Sequence, residues 1–170
     1  MGVMRRDSEF LAQCIELAGD SPDPSTQVGA IVVGPDREII GKGINDWACG
    51  HSGNRGWIEN KQFYMEHAER NALFQAVRAG FWRKIGWSTL YAPWSACAEC
   101  ARVISSFGVK RLVRYKPMMD SELGAVWRSS IVAGDEIMKL NGVEIIEVNG
   151  SLPVPDGVHH TLFRGEKWLW

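Results

Sequence analysis

The amino-acid sequence predicts an α/β fold in which helices cover both faces of a five-stranded mixed β-sheet. Three observations predict it: a pair of β-branched runs with a turn between them, later apolar runs that alternate with helical patterns, and glycines at most element ends. The chain has 170 residues, of which 45% are hydrophobic and 23% are charged. This length and composition suit one globular domain, which we expect to span residues 1–170.

The first half of the chain begins with a helix and a hairpin. Apolar residues recur three and four positions apart over residues 8–18, which is the spacing of one helix face. Two β-branched runs, 27–33 and 37–43, flank a Gly-Pro-Asp turn and predict a hairpin. An irregular stretch follows at 45–63, and helical spacing returns over 67–80. The hairpin therefore supplies two neighbouring strands of the sheet.

The second half of the chain alternates strands and helices. The predicted elements are, in order, a strand at 88–93, a helix at 97–108, a strand at 109–115, a helix at 121–140 and a strand at 143–148. Gly134 predicts a break in the second of these helices. A helix between the last two strands allows them to run parallel, because a hairpin would need only a short turn. The tail at 149–170 has no pattern that assigns an element.

The charge balance bears on the kind of partner. The chain has 19 Lys and Arg residues against 20 Asp and Glu residues, so its formal net charge is -1 and its isoelectric point is about 6.4. A protein without a strongly basic surface grips polynucleotide phosphates poorly, which favours a small substrate over a long nucleic acid. No window approaches the ~18 uninterrupted apolar residues of a membrane span. We expect a cytoplasmic protein with no membrane partner, because the N-terminus is charged where a signal peptide is apolar.

Two short motifs carry the candidate chemistry. A His-Ala-Glu motif begins at His67, and a Cys-Ala-Glu-Cys motif begins at Cys97. In a reducing compartment, a close cysteine pair more often binds metal or takes part in redox chemistry than forms a structural disulfide. One imidazole and two thiolates make three ligands for Zn²⁺, and a catalytic zinc site keeps its fourth position for water. We therefore expect His67, Cys97 and Cys100 to bind Zn²⁺ where two helix N-termini meet, since their positive dipole ends favour thiolates.

Glu69 is expected to have a different role from the three ligands. Residues two apart on a helix do not share a face, so Glu69 is poorly placed to bind metal beside His67. A carboxylate near the water of a catalytic zinc site acts as a base, which takes the proton and passes it to a departing amine. Each motif alone has a plain alternative: the cysteines as a redox pair, and His67 as a helix-capping or core residue. The two motifs together favour a catalytic zinc site.

These motifs give the chain a resemblance to the cytidine and deoxycytidylate deaminase superfamily, most closely to its dCMP deaminase branch. Zinc nucleobase deaminases carry a His-x-Glu motif and a Pro-Cys-x-x-Cys motif. The resemblance runs over about 23–148 and is carried by 23–33 with 41–46, by 67–76 and by 89–113. It implies a three-layer cytidine-deaminase-like fold and a hydrolase that converts dCMP to dUMP and ammonia. It also implies a zinc cofactor, a small-molecule nucleotide substrate and a homo-oligomer.

The resemblance also implies roles for individual residues. In this pattern His67, Cys97 and Cys100 hold Zn²⁺, and Glu69 moves the proton. The residues expected near the substrate are Asn45 at the sugar, Val28 and Ala30 on a strand beside the pyrimidine, and Ser95 at the amine that is lost. Trp94 precedes the cysteine motif, and its large aromatic surface suits stacking on a base.

Two departures from the family pattern bear on the substrate. Ala96 stands where the family usually has proline before its first zinc cysteine, which leaves metal binding intact. Residues 46–49 replace a familiar Gly-x-Pro stretch, so the substrate and any regulation by dCTP stay open. The alternatives are deamination of another nucleobase, a nucleoside or tRNA adenosine, and a structural zinc module that binds a protein partner. Cys49 and His51 leave a second metal site open, whereas Cys14 is expected in the core.

Overall fold

A five-stranded sheet forms the centre of the computed structural model, which describes residues 2–48, 59–154, 157 and 160–169. The strands are β1 (Gly29–Val33), β2 (Ile39–Ile44), β3 (Asp46–Trp47), β4 (Met65–Glu66), β5 (Thr89–Tyr91), β6 (Arg111–Tyr115), β7 (Glu144–Val148), β8 (His160–Phe163) and β9 (Glu166–Leu169). The α-helices are α1 (Gly2–Ala18), α2 (Ala68–Arg78), α3 (Trp82–Ile85), α4 (Ala98–Ser106), α5 (Lys116–Asp120), α6 (Glu122–Ala125) and α7 (Arg128–Leu140). Within those ranges, no helix is both long and apolar enough to cross a membrane.

The strand order of the central sheet is β2-β1-β5-β6-β7. Strand β1 pairs antiparallel with β2 and β5, whereas β5 with β6 and β6 with β7 pair parallel. Helices α4 and α7 lie in the crossovers between the parallel strands, since a tight turn can join only antiparallel strands. The prediction of a five-stranded mixed sheet, with parallel pairing of 109–115 and 143–148, is confirmed.

Helices cover both faces of this sheet, as the sequence predicts. Successive side chains of β1 point to opposite faces, so Ile31 packs with α1 while Ala30 packs with α2. Helices α4 and α7 contribute to the same core as α2. Cys14 of α1 is fully buried in the other core, where its thiol donates to the main-chain oxygen of Tyr91 at 3.3 Å. The predicted core position of Cys14 is confirmed.

Helix α2 lies close to β2 because a glycine leaves room for its backbone. A Cβ atom on Gly43 would lie 2.2 Å from the main-chain oxygen of Ala68 and 2.3 Å from the nitrogen of Ala72. Any larger residue at this position would push the helix away from the sheet. The helix also bonds to the strand, since Asn71 Nδ2 donates to the main-chain oxygen of Ile44 at 2.8 Å. These contacts fix where the first turn of α2 begins.

The predicted break at Gly134 is wrong, because α7 continues through this residue to Leu140. Gly134 is buried, and a Cβ atom there would lie 2.7 Å from the main-chain oxygen of Ala96. The glycine therefore allows α7 to pack closely against the segment before α4. The helix predicted at 121–140 divides at an earlier point, between α6 and α7.

The tail that the sequence left unassigned contains the hairpin β8–β9. Its two turn residues, Arg164 and Gly165, have φ angles of 55° and 81°, as a type I′ turn requires. Each strand has only four residues, which is too short for a clear periodic pattern. The hairpin matters for the site because it packs beside the metal-binding end of the fold, as described below.

Candidate metal centre and adjoining cavity

His67 and Cys97 occupy equivalent positions at the starts of two helices. Each is the N-cap residue of its helix, His67 on α2 and Cys97 on α4, and each has an extended backbone. Neither side chain forms a capping hydrogen bond to its own helix, so each can point towards the other. Cys100 lies within the first turn of α4 and is fully buried. Two helix N-termini thus present three side chains to one place.

The three side chains, which we call the metal cluster, have the spacing of a tetrahedral zinc site. His67 Nδ1 lies 3.6 Å from Cys97 Sγ and 3.5 Å from Cys100 Sγ. Zinc bonds of about 2.0–2.1 Å to nitrogen and about 2.3 Å to sulfur place tetrahedral ligands about 3.6 Å apart. All three ligand atoms lie within 4.8 Å of one another, and no other His, Cys, Asp or Glu of the described residues joins the group. The donor set and its spacing therefore fit Zn²⁺ with three protein ligands.

Electrostatics within the metal cluster favour a bound cation. A hydrogen bond from the Cys100 thiol lowers the pKa of Cys97 to about 3, against the opposing effect of burial. The same hydrogen bond, together with burial, raises the pKa of Cys100. Burial lowers the pKa of His67, but the Cys97 thiolate and Glu69 outweigh it, so the net shift is upward. The two thiols share one negative charge, and a divalent cation would stabilise both as thiolates.

Glu69 lies in the first turn of α2, beside the metal cluster but not within it. Its side chain lines the same cavity as His67 and Cys97, although the residue is only 4% exposed. Burial raises the pKa of Glu69, which the positive charge of His67 partly offsets. A buried carboxyl with a raised pKa is a candidate for proton transfer, because burial favours its protonated form. The geometry thus separates Glu69 from the metal-binding residues.

Arg70 links the starts of the two ligand-bearing helices. Its Nε forms an ion pair with Glu66 Oε1, and its Nη1 donates to Glu99 Oε2 at 3.0 Å. Glu66 Oε1 in turn accepts the main-chain N–H of His67 at 3.1 Å. The arginine therefore joins the segment before α2 to the first turn of α4.

The segment before Cys97 is held by β6 and α7. Arg114 donates to Ser95 Oγ at 2.7 Å and to Asp135 Oδ1 at 2.8 Å, and it is only 9% exposed. Ser130 Oγ accepts the main-chain N–H of Ala98 at 3.1 Å. Because these partners come from separate elements, the position of the cysteine motif depends on the packing of α7.

A cavity opens beside the metal cluster and is lined mostly by apolar side chains. Its lining residues are Thr26, Val28, Asn45, His67, Glu69, Trp94, Ser95, Cys97, Trp127, Ile131 and Phe163. Four of the predicted substrate residues, Asn45, Val28, Ser95 and Trp94, are thus brought to it. The fifth, Ala30, is fully buried within β1 and is not among the lining residues. Its substrate contact stays a prediction.

Asn45 connects the loop before β1 to the start of α2. Its Oδ1 accepts the main-chain N–H of Ala68 at 3.0 Å, and its Nδ2 donates to the main-chain oxygen of Thr26 at 2.8 Å. An amide nitrogen carries two hydrogens, so one N–H of Asn45 is left for a ligand. The predicted sugar contact stays a prediction, and either that remaining donor or the second lone pair of Oδ1 can serve it.

Trp94 has one ring face covered by other aromatic residues. It stacks on Phe163 with ring centroids 3.8 Å apart and an interplanar angle of 19°. Trp168 meets it edge to face, with centroids 5.8 Å apart. We call Trp94, Phe163 and Trp168 the aromatic wall. The predicted stacking of Trp94 on a base stays a prediction, and only the face away from Phe163 can serve it.

The cavity also has four lining residues that the sequence does not predict: Thr26, Trp127, Ile131 and Phe163. Trp127 meets the His67 ring edge to face, with centroids 6.1 Å apart, and is 38% exposed. The unusual number of tryptophans, 8 in the chain, was the available signal, but it does not say which of them reach the cavity. Cys49 and His51, the candidates for a second metal site, lie outside the described residues.

Comparisons with known proteins agree with this geometry. Residues 4–116 match the family model of the cytidine and deoxycytidylate deaminase zinc-binding region. The chain is 28% identical over 120 residues to the probable deoxycytidylate deaminase of Drosophila melanogaster, and 30% identical over 112 residues to the deoxycytidylate deaminase of Mus musculus. These matches cover 63% and 61% of this chain, but the chain spans only 57% and 61% of the two relatives.

The fold is similar to that of a solved deaminase. The dCMP deaminase from the cyanophage S-TIM5, in its apo form, has a TM-score of 0.60 with this chain at 21% sequence identity. The match covers 84% of this chain and 96% of that one. The cytidine-deaminase-like fold that the sequence predicts is confirmed.

Proposed function

This chain belongs to the cytidine and deoxycytidylate deaminase family, and on that premise we propose that it is a zinc-dependent hydrolase that converts dCMP to dUMP and ammonia. The observation that carries the proposal is the metal cluster of His67, Cys97 and Cys100, with the buried carboxyl of Glu69 in the same cavity. The names of the curated relatives, which are deoxycytidylate deaminases, support the choice of a cytosine nucleotide.

The proposed reaction exchanges an amine for an oxygen at C4 of the cytosine ring. When bound, Zn²⁺ supplies a Lewis acid that lowers the pKa of water to about 7. Water adds at C4, the bond from C4 to the exocyclic nitrogen breaks, and the nitrogen leaves as ammonia. Glu69 carries the two protons of the water in turn, one to ring N3 and one to the leaving nitrogen, so that the products are the uracil ring and ammonia. Burial raises the pKa of Glu69, which favours the protonated form that donates.

The walls of the cavity provide the remaining contacts in this proposal. The free N–H of Asn45 binds the sugar, and the backbone around Val28, just before β1, lies beside the pyrimidine, with Ala30 behind it in β1. Ser95 faces the departing amine while its hydroxyl is held by Arg114. An apolar cavity with few polar groups suits a planar base.

The setting of the enzyme follows from its chemistry. Cys97 and Cys100 must stay reduced to bind zinc as thiolates, so a reducing compartment such as the cytoplasm suits the protein.

We also propose that the chain forms a homo-oligomer. Large apolar side chains on its surface support this, among them Phe63, Trp82 and Trp87, which are 77%, 58% and 69% exposed.

A substrate panel tests the proposed function. Zinc-loaded protein is incubated with cytosine, cytidine, CMP, dCMP and dCTP, and the loss of cytosine absorbance is measured with each. The expected result is deamination of dCMP with the highest kcat/KM. Inactivity on all five compounds would overturn the proposal, and inosine formation in tRNA under the same conditions would replace it with an adenosine deaminase.

A structural zinc module is the alternative from a different class. A structural zinc site prefers four protein ligands, whereas the described residues supply three. A structural site would also give the buried carboxyl of Glu69 no role. Zinc content that is one per chain, together with inactivity on the full panel, would favour the module.

A further inference from the structure

The C-terminal hairpin β8–β9 lies outside residues 4–116, which match the family model, yet it reaches the cavity. Phe163, the last residue of β8, is 4% exposed and lines the cavity together with Thr26 and Asn45. A segment beyond the zinc-binding region therefore supplies part of the wall that faces a ligand. The contacts that hold this segment in place decide what it can do there.

Main-chain hydrogen bonds dock the hairpin on the loop before β1. The N–H of Gln27 donates to the oxygen of Leu162 at 2.7 Å, and Gln27 Oε1 accepts the N–H of Leu162 at 3.1 Å. The N–H of Gly165 donates to the oxygen of Ser25 at 2.7 Å, and Thr26 forms an antiparallel bridge with Phe163. The hairpin is thus paired with residues 25–27 along their length.

Each strand of the hairpin contributes one ring that packs against Trp94. Phe163 stacks on its ring with centroids 3.8 Å apart, and Trp168 of β9 meets it edge to face at 5.8 Å. Trp168 pairs with Thr161, which lies two residues before Phe163, so both rings project from one face of the hairpin. A ring fixed by stacking and by a paired backbone makes a rigid wall.

The hairpin also reaches the sugar-binding residue of the proposed site. Thr26, which bridges to Phe163, accepts a hydrogen bond from Asn45 Nδ2 at 2.8 Å. Phe163 and Asn45 line one cavity and are both joined to Thr26, so Phe163 lies near the residue to which the proposed function assigns the sugar. No polar atom of Phe163 can satisfy a hydroxyl placed against it.

We propose that Phe163 is a specificity-determining residue whose ring packs against the sugar of the substrate and selects 2′-deoxyribose over ribose. This inference rests on the proposed function, because that function places the sugar at Asn45. A ribose carries one more hydroxyl than deoxyribose. Burying that hydroxyl against an apolar ring leaves it without a partner, which costs free energy that the deoxyribose does not lose.

The test compares dCMP with CMP in variants at Phe163. Phe163→Ala removes the wall, so kcat/KM for dCMP is expected to fall on the order of tenfold, and the ratio of CMP to dCMP activity to rise at least about threefold. Phe163→Leu keeps an apolar side chain and should give an intermediate ratio. Zinc content is measured in each variant, since the wall does not bind metal and the content should stay as in the unaltered protein.

Leu169→Ala is the matched control, because Leu169 lies in the same hairpin but is 74% exposed and does not line the cavity. It should leave the substrate ratio unchanged. An unaltered ratio in both Phe163 variants overturns the inference, and so does an equal loss on both substrates that follows a loss of zinc. If the unaltered protein deaminates neither nucleotide, the proposed function itself fails, which is a separate outcome from an active enzyme with an unmoved ratio.

Discussion

The metal cluster and the aromatic wall border one cavity, yet they are built in different ways. His67, Cys97 and Cys100 are each presented by the first turn or N-cap of a helix, so short motifs fix their positions. The rings of the aromatic wall come from one loop and from a hairpin near the C-terminus, and contacts between distant segments hold them. Short motifs therefore supply the metal-binding residues, although the packing of α7 supports the cysteine motif, whereas the aromatic wall is assembled entirely by contacts between distant segments.

This difference separates two kinds of change. An alteration in the metal cluster should remove zinc and with it the reaction, whatever the substrate. An alteration in the aromatic wall should keep zinc and the reaction but move the preference among substrates. If variants of the two regions have the same effects on zinc content and substrate preference, this distinction is wrong. If their effects differ in the expected way, it is supported.

The largest effect is expected from the metal cluster itself. Cys100→Ser replaces a buried thiol with a hydroxyl, which is a poor zinc ligand, so bound zinc should fall from about one per chain to below about 0.1. Deamination should disappear with the metal. Zinc is measured by plasma mass spectrometry after dialysis. Cys14→Ala is the control, because Cys14 is equally buried but lies in the other core, and it should keep its zinc.

A smaller loss is expected when the carboxyl beside the cluster is changed. Glu69→Gln keeps the shape of the side chain but cannot carry the proton, so kcat should fall by about 10²–10⁴ while zinc stays bound. Kinetics and zinc content are measured on the same preparation. The chain offers a matched control in Glu99→Gln, since Glu99 follows Cys97 as Glu69 follows His67, but it is exposed. A normal kcat in Glu69→Gln would contradict the assigned role.

The smallest effect is expected from the packing that supports the cysteine motif. Alanine in place of glycine usually stabilises a helix by up to about 1 kcal/mol. At Gly134 the added Cβ would meet the main-chain oxygen of Ala96 at 2.7 Å, and forcing such a contact costs about 1–3 kcal/mol. Gly134→Ala should therefore lower the melting temperature by a few degrees and weaken zinc binding. A raised melting temperature would show that α7 does not hold the cysteine motif.

The residues of the metal cluster could be predicted from the sequence because the motifs that contain them are short and local. The His-x-Glu and Cys-x-x-Cys motifs each lie within one helical turn, and the spacing of apolar residues shows where those helices begin. The parallel pairing of the last two strands followed from the helix between them, for the same reason. These features depend on neighbours in the chain, so the sequence alone suffices.

The parts that sequence reasoning missed depend on contacts between distant residues. Gly134 read as a helix break because a single sequence does not show the backbone of Ala96 beside it. The hairpin that carries Phe163 has strands of four residues, and its position is set by pairing with a loop more than 130 residues earlier. No local pattern could bring that ring to the cavity that Asn45 also lines.

X-ray absorption at the zinc edge tests the central claim most directly. We predict one zinc per chain with two sulfur neighbours at about 2.3 Å and two lighter neighbours at about 2.0–2.1 Å, one of them the His67 nitrogen. Addition of dCMP should change the lighter neighbours and leave the sulfurs in place. A shell of four sulfur atoms, or protein that binds no zinc, would contradict the account.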